Sequence, residues 1–332
     1  MNIVMTGGNG FIGRRLAREL LAGAEAIGAD NERHPLEKLV LFDVARLDDE
    51  LARDPRVEQV VGDVGDPAAL AGVIGPRTAA VFHFGAVVSA GAEADFDLGM
   101  RVNLDGTRNV LEACRRLPAA PRVVFASSLA VYGGDLPKII DDETPSYPQT
   151  SYGAQKACGE LLVSDYSRKG FIDGRSLRFP TILVRPEPNL AASTFASTII
   201  REPLLSRETT CPVEPRSVMA VMSIARLVDC IVLAYKLPAG AFGLRRALLL
   251  PAISASVEAM IAAVRRVGGE AAAKCITLRT DPKTQHIVDG WPGGVRASRA
   301  EALGLHADAT VEEIVGSFVH GDLPAMLAAA AG

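Results

Sequence analysis

The run Thr6-Gly7-Gly8-Asn9-Gly10-Phe11-Ile12-Gly13 constrains this chain more than any other feature. It follows a short apolar run, Asn2–Thr6, and opens an amphipathic stretch, Gly10–Leu21. A strand that passes into a helix over three such glycines lets main chain close around a pyrophosphate. Gly7 permits the tight turn, Gly10 lets backbone approach the phosphates, and Gly13 lets the helix pack on the strand. The first helical N–H groups, around Phe11 and Ile12, offer unpaired donors and a positive dipole end.

The rest of the first half repeats that alternation. Apolar runs at Lys38–Asp43, Gln59–Gly62, Ala79–Phe84, Arg122–Ser127 and Ser176–Phe179 are separated mostly by helical patterns, notably Val102–Leu117. Such spacing predicts βαβ units, a parallel sheet and an α/β, doubly wound fold. Residues 180–222 carry scattered prolines and serines and read as loops and short elements of a smaller lobe. A helix is expected over 223–236, a strand at Ala247–Leu250, and helices at Ser256–Val267 and Arg296–Leu303. The alanine-rich tail Ala325–Ala331 is expected to fray. The expected organisation is a nucleotide-binding domain over 1–180, rejoined by about 223–250, with a substrate-binding α/β lobe from 181–222 and 251–332.

Composition excludes several classes. A net charge of −4 and 5% aromatics give no surface suited to nucleic acid. No apolar run approaches the roughly 20 residues of a spanning helix, so no membrane partner is expected. Met1 leads straight into Ile3-Val4-Met5 without a signal-peptide pattern. The five cysteines are far apart and lack metal-ligand spacing, so no metal and a cytoplasmic location are expected.

Asp43 ends the second apolar run. A carboxylate there accepts hydrogen bonds from the adenosine ribose hydroxyls and repels a 2′-phosphate. Val44 and Ala45 follow it rather than an arginine, which favours NAD over NADP. Asp63 and Val64 end the third run and would sit beside the adenine. Asp66 is at least as good a helix cap as Asp63.

Two further stretches carry chemistry. Phe125 to Gly133 contains Ser128 at a strand end, and Ser151-Tyr152-Gly153-Ala154-Gln155-Lys156 opens a helix. Tyr152 and Lys156 are spaced to share one helix face. A lysine ammonium there stabilises the phenolate and brings tyrosine nearer to working pH. Ser128 would donate to a substrate oxygen. Tyr152 would take a hydroxyl proton while hydride passes to the nicotinamide.

Together these pieces resemble the extended short-chain dehydrogenase/reductase family, also called the NAD-dependent epimerase/dehydratase family, which has a Rossmann fold. The resemblance rests on TGGNGFIG, Asp43, Asp63-Val64, His83-Phe84-Gly85-Ala86, Asn103-Leu104-Asp105-Gly106-Thr107, SSLAVYG and YGAQK, and covers about the first 180 residues. It implies that Gly85 and Ala86 line the cofactor groove. It further implies that Asn103 helps position Lys156 and that Pro180 to Ile182 meet the nicotinamide end. His83 is better read as a buried structural histidine. The family commonly dimerises through two helices. Here Val110, Leu111, Cys114 and Leu117 could face Ala157, Leu161 and Leu162, so a homodimer is expected.

Three reactions compete within the family. Leu129-Ala130 stands where a dehydratase would carry an acid pair. A nucleotide-sugar 4-epimerase would need a diphosphate and base site in the second lobe. The segment from Arg185 to Phe195 suits a small acid better. VSAGAEADFDLGMRVNLDGTRN, PNLAAS and Asp289-Gly290-Trp291-Pro292-Gly293 resemble the D-erythronate dehydrogenase subgroup. That resemblance implies oxidation of a small sugar acid at C2. Ser89, Asn189 and Ser193 are the candidate substrate contacts, with Arg185 or Arg201 as sources of positive charge. An NAD-binding regulatory protein is a further alternative, which the intact Ser128, Tyr152 and Lys156 disfavour.

Overall fold

A computed structural model describes residues 1–46, 50–187 and 191–331. Its main sheet has seven strands: β1 (Asn2–Thr6), β2 (Lys38–Asp43), β3 (Val57–Val61), β4 (Thr78–His83), β5 (Arg122–Ser128), β6 (Asp173–Phe179) and β7 (Ala247–Leu249). Across the sheet they run β3, β2, β1, β4, β5, β6, β7. The pairings β3–β2, β2–β1, β1–β4 and β4–β5 are parallel. This is the expected doubly wound Rossmann order. Its direction reverses between β1 and β4, where the crevice of such a sheet opens at the carboxyl ends of the strands. Every residue of β4 is buried, as a sheet covered on both faces requires.

The helices that matter for the site are α1 (Phe11–Gly23), α2 (Gly106–Arg115), α3 (Ser151–Arg168) and α4 (Ile224–Lys236). The helix expected to run unbroken from Val102 begins instead as a π-turn, Met100–Asp105, and becomes α-helical at Gly106. Single π-turns of this kind re-aim side chains and recur at functional sites. Val110, Leu111 and Cys114 lie in the core beneath the sheet, with Val81, Val123 and Phe125. They are therefore not part of an outer face, whereas Leu161 on α3 is 72% exposed.

The chain packs as two compact units. The first comprises Met1–Val131, Pro148–Arg178 and Val228–Leu248, and the second comprises Tyr132–Tyr147, Phe179–Leu227 and Leu249–Gly332. In the second, Thr181–Leu183, Val218–Ser223 and Ile253–Ser256 form a small sheet. Helix Thr194–Leu204 packs against Val257–Lys274, burying Phe195, Ile199, Met260 and Val264. That helix stands where loops were expected. The tail expected to fray is helical over Leu323–Ala331, with Leu323 buried. Among the described residues no helix is long and apolar enough to cross a membrane.

A buried charge cluster anchors the far edge of the first unit. Arg122 and Arg175 are fully buried, and with Arg246 they surround the carboxylate of Asp173. Arg175 also donates to the carbonyls of Ala234, Tyr235 and Leu237, and Arg122 to that of Tyr235. These are orphan acceptors at the end of α4, where positive charge also meets the negative end of the helix dipole. Removing one partner of a buried ion pair leaves uncompensated charge and costs about 3–5 kcal/mol. Asp173→Ala is therefore expected to lower unfolding free energy by about that amount, read as a lower midpoint in urea denaturation.

Candidate active site

The glycine turn is as tight as its sequence suggests. Gly7 has φ +67, and a Cβ on it would lie 2.7 Å from the Gly85 nitrogen. A Cβ on Gly13 would lie 2.6 Å from the Gly7 carbonyl oxygen, and one on Gly10 3.2 Å from it. Gly10 ends the turn at the N-cap of α1 and provides no side chain to cap it. The N–H groups that follow, at Phe11 and Ile12, keep the donor role an anion requires.

Asp43 stands directly beside this turn. Its Oδ2 accepts from the Asn9 N–H (3.0 Å), and its Oδ1 from that of Ala45 (3.4 Å). Arg46, the nearest following cation, donates to the Gln59 carbonyl instead (3.0 Å). The Asp63 carboxylate accepts from the Gly65 N–H (2.8 Å) and pairs with Arg101 (2.5 Å). The Arg101 hydrogen bond is the main reason its pKa falls below the usual carboxylate range. Val64 is buried, and glycines at 85 and 106 make room for it. Asp66, not Asp63, caps the next helix by accepting from the Ala68 N–H. The cradle without Cβ atoms, with a carboxylate beside it whose remaining lone pairs can accept from ribose hydroxyls, fits NAD.

Ser128 ends β5, and its Oγ accepts from the Ala130 N–H (3.1 Å), which leaves its own proton to donate. The first turn of α3 is capped by Thr150, which accepts from the Gly153 N–H (3.1 Å). Glu93 accepts from the Ser151 N–H (3.0 Å). Those caps fix the turn that carries Tyr152. Lys156, one turn on, is 2% exposed. Its Nζ lies 5.6 Å from the centre of the Tyr152 ring and 4.7 Å from that of Phe125. Burial pushes the lysine down to about 7, against the opposing pull of Glu160.

Glu160 is itself held by three donors. Ser127 Oγ lies at 2.5 Å, and the guanidinium of Arg178 donates at 2.9 and 2.7 Å. His83 is the buried structural residue expected. Its ring contacts Thr6 Oγ1 (2.6 Å) and Thr107 Oγ1 (3.0 Å). Burial first, and then Lys156, push it down to about 3.

Sequence reasoning missed Gly153. A Cβ there would stand 2.0 Å from the Ala130 carbonyl oxygen, in the turn that follows Ser128. Only glycine lets the first turn of α3 approach Ser128 this closely. The signal was present as the glycine following Tyr152.

The remaining candidates are dispersed. Ser89 opens the short helix Ser89–Ala94 and is half-buried. Ala86 is half-buried beside Gly85. Asn103 lies in the π-turn and is 1% exposed. Pro180 and Ile182 are buried in the second unit, at the strand Thr181–Leu183. Ser193 precedes Thr194–Leu204 there and makes no side-chain cap. Asn189 lies outside the described residues. Arg201 is buried and committed to Glu202 (2.7 Å) and the Arg185 carbonyl (2.8 Å), so it is not available to a substrate carboxylate.

Comparison with known proteins gives the family. The family model for the NAD dependent epimerase/dehydratase family matches residues 3–239. D-erythronate dehydrogenase of Cupriavidus necator is 48% identical over 96% of this chain and 98% of its own. D-erythronate dehydrogenase of Haemophilus influenzae is 40% identical over 97% of this chain and 100% of its own. The crystal structure of a nucleoside-diphosphate-sugar epimerase from Agrobacterium tumefaciens superposes with a TM-score of 0.91 at 38% identity. It covers 98% of this chain and 95% of that one. The chain belongs to the NAD dependent epimerase/dehydratase family. It is an NAD-dependent oxidoreductase acting on a CH–OH group.

Displacing a reacting group by about 1 Å can cost about a hundredfold in rate. Gly153→Ala is expected to lower kcat by about that factor, read from steady-state NADH formation, with NAD affinity nearly unchanged.

Proposed function

We propose that this enzyme oxidises a small sugar acid of the D-erythronate type at C2, with Tyr152 as general base. The observation that carries the reading is the buried Lys156 beneath the Tyr152 ring, on a helix whose first turn lies against the turn after Ser128. The two D-erythronate dehydrogenases, similar over nearly their whole length, support the substrate class.

In this reading, Gly7, Gly10, Phe11, Ile12 and Gly13 receive the pyrophosphate of NAD. Asp43 receives the adenosine ribose, and Asp63 and Val64 border the adenine. Gly85 and Ala86 are the proposed lining of the cofactor groove, Pro180 and Ile182 the proposed contacts of the nicotinamide end, and Asn103 acts from behind by positioning. NAD, when bound, supplies the acceptor for the hydrogen on the reacting carbon. Ser128 donates a hydrogen bond to the substrate oxygen and holds it. Tyr152 takes the hydroxyl proton as the C–H bond breaks, leaving a 2-keto acid. Lys156 provides positive charge beside the phenolate when it is protonated. Ser89, Asn189 and Ser193 are the proposed substrate contacts.

A nucleotide-sugar 4-epimerase is the second reading, which the Agrobacterium epimerase supports. A cavity of about 670 Å³ in the second unit is lined by Trp291, Lys138, Arg216, Glu214 and Asp289. Two cations against two acids leave no net positive charge for a diphosphate. Arg216 is moreover paired with Glu214. The cavity therefore lends no support to the epimerase reading.

We further infer a homodimer joined through the outer face of α3, where Leu161 is exposed. A cytoplasmic location is supported by the five cysteines, all free thiols. The test of the reaction is NADH absorbance with D-erythronate, related aldonic acids and UDP-hexoses. NADH should form with the four-carbon acid. Tyr152→Phe should reduce turnover by about a thousandfold or more, in the range of losses for a general base. Interconversion of UDP-hexoses without net NADH would replace this reading with the epimerase.

A further inference from the structure

The loop after β4 runs from the glycine turn towards the catalytic helix. Gly85, near its start, lies against Gly7, and its N–H donates to Thr6 Oγ1 (3.2 Å). Two residues on, both main-chain polar groups of Val87 are held by one side chain. Its N–H donates to Asn103 Oδ1 (2.8 Å), and its carbonyl accepts from Asn103 Nδ2 (3.0 Å). The other Nδ2 proton of Asn103 reaches Gln155 Oε1 (2.7 Å). Gln155 sits on α3 between Tyr152 and Lys156 and is 2% exposed.

Glutamine is a costly choice at this position. Its Nε2 is buried and has no hydrogen-bond partner. An unsatisfied buried donor costs about 1–3 kcal/mol, and methionine or leucine would fill a similar volume without that cost. Space for the amide is made by Gly99, where a Cβ would lie 2.7 Å from Gln155 Nε2. The π-turn Met100–Asp105 presents Asn103 to both partners at once. What glutamine adds over an apolar side chain is the acceptor for Asn103.

We propose that Gln155 is a positioning residue that acts through Asn103. It ties the catalytic helix to the loop bordering the glycine turn, so that Tyr152 and Lys156 hold their place relative to bound NAD. The proposal rests on the reading of Tyr152 and Lys156 as the reacting pair. The bonds form one path: Thr6 to Gly85, Val87 to Asn103, Asn103 to Gln155. Without the acceptor, Asn103 is free to rotate, and the Val87 peptide loses its partner on both sides.

The test compares Gln155→Met with Gln155→Glu, which keeps an acceptor oxygen. Two readouts do not depend on the substrate: amide hydrogen exchange at Val87, and NAD affinity by titration. Gln155→Met should speed Val87 exchange about tenfold and weaken NAD binding about fivefold, while Gln155→Glu stays within about twofold of the parent. Combining Gln155→Met with Asn103→Ala should be no worse than Asn103→Ala alone, as for residues acting in one unit. If Gln155→Met fails to fold, Gln155→Leu is read by the same two measurements and should show the same losses. Unchanged Val87 exchange, equal losses in the Met and Glu variants, or additive losses in the double variant would overturn the proposal. Tyr152→Phe should leave Val87 exchange as it is. If that variant keeps its turnover, the catalytic reading falls, and Val87 exchange in Gln155→Met alone decides the clamp.

Discussion

The rest of the site depends on a lysine buried beneath a tyrosine. Lys156 has lost nearly all its water, which disfavours its charged form. The surroundings offset part of that cost. The Phe125 ring faces the ammonium, and Glu160 lies one turn further along α3. Arg178 and Ser127 hold Glu160 in turn. The sign follows from the lowered pKa. An unfolded chain still binds the lysine proton between about 7 and 10.5, so this residue makes the fold more stable as pH rises through that window. At neutral pH its burial therefore works against stability.

The surrounding structure over-determines the helix that carries this lysine. Thr150 and Glu93 cap its first turn, Gly153 lets it approach the turn after Ser128, and Gln155 fastens it through Asn103. The glycine turn is built on β1 and β4, where the sheet order reverses, and a Cβ on Gly7 would lie 2.7 Å from the Gly85 nitrogen. Each half of the site is thus set by close main-chain approaches. Such approaches transmit small displacements, because packed interiors do not deform smoothly.

What the sequence revealed was local in origin. The glycine turn, Asp43 at a strand end, and Tyr152 with Lys156 on one helix face depend on spacing along the chain, and spacing is readable. The parallel, doubly wound sheet followed from the βαβ alternation, while the order of its strands came from the structure. Long-range partners were not readable. Nothing near Asp173 announces that arginines 122, 175 and 246 will gather around it. Helix Thr194–Leu204 was missed because its serine, threonines and Pro203 resemble a loop, while its stability comes from packing on Val257–Lys274. Val110, Leu111 and Cys114 could have faced a partner helix by their spacing, but the sheet claims them. Arg201 looked like a free cation until its partners were visible.

The titration of Lys156 itself tests this account most directly. Lysine labelled with 13C at Cε would be followed by NMR in the cofactor-free protein, with Lys156→Met identifying its signal. The account predicts a midpoint near 7, the ammonium being charged below it and neutral above it. A Lys156 signal that titrates near 10.5, as an exposed lysine would, contradicts the burial from which the rest of the site is argued.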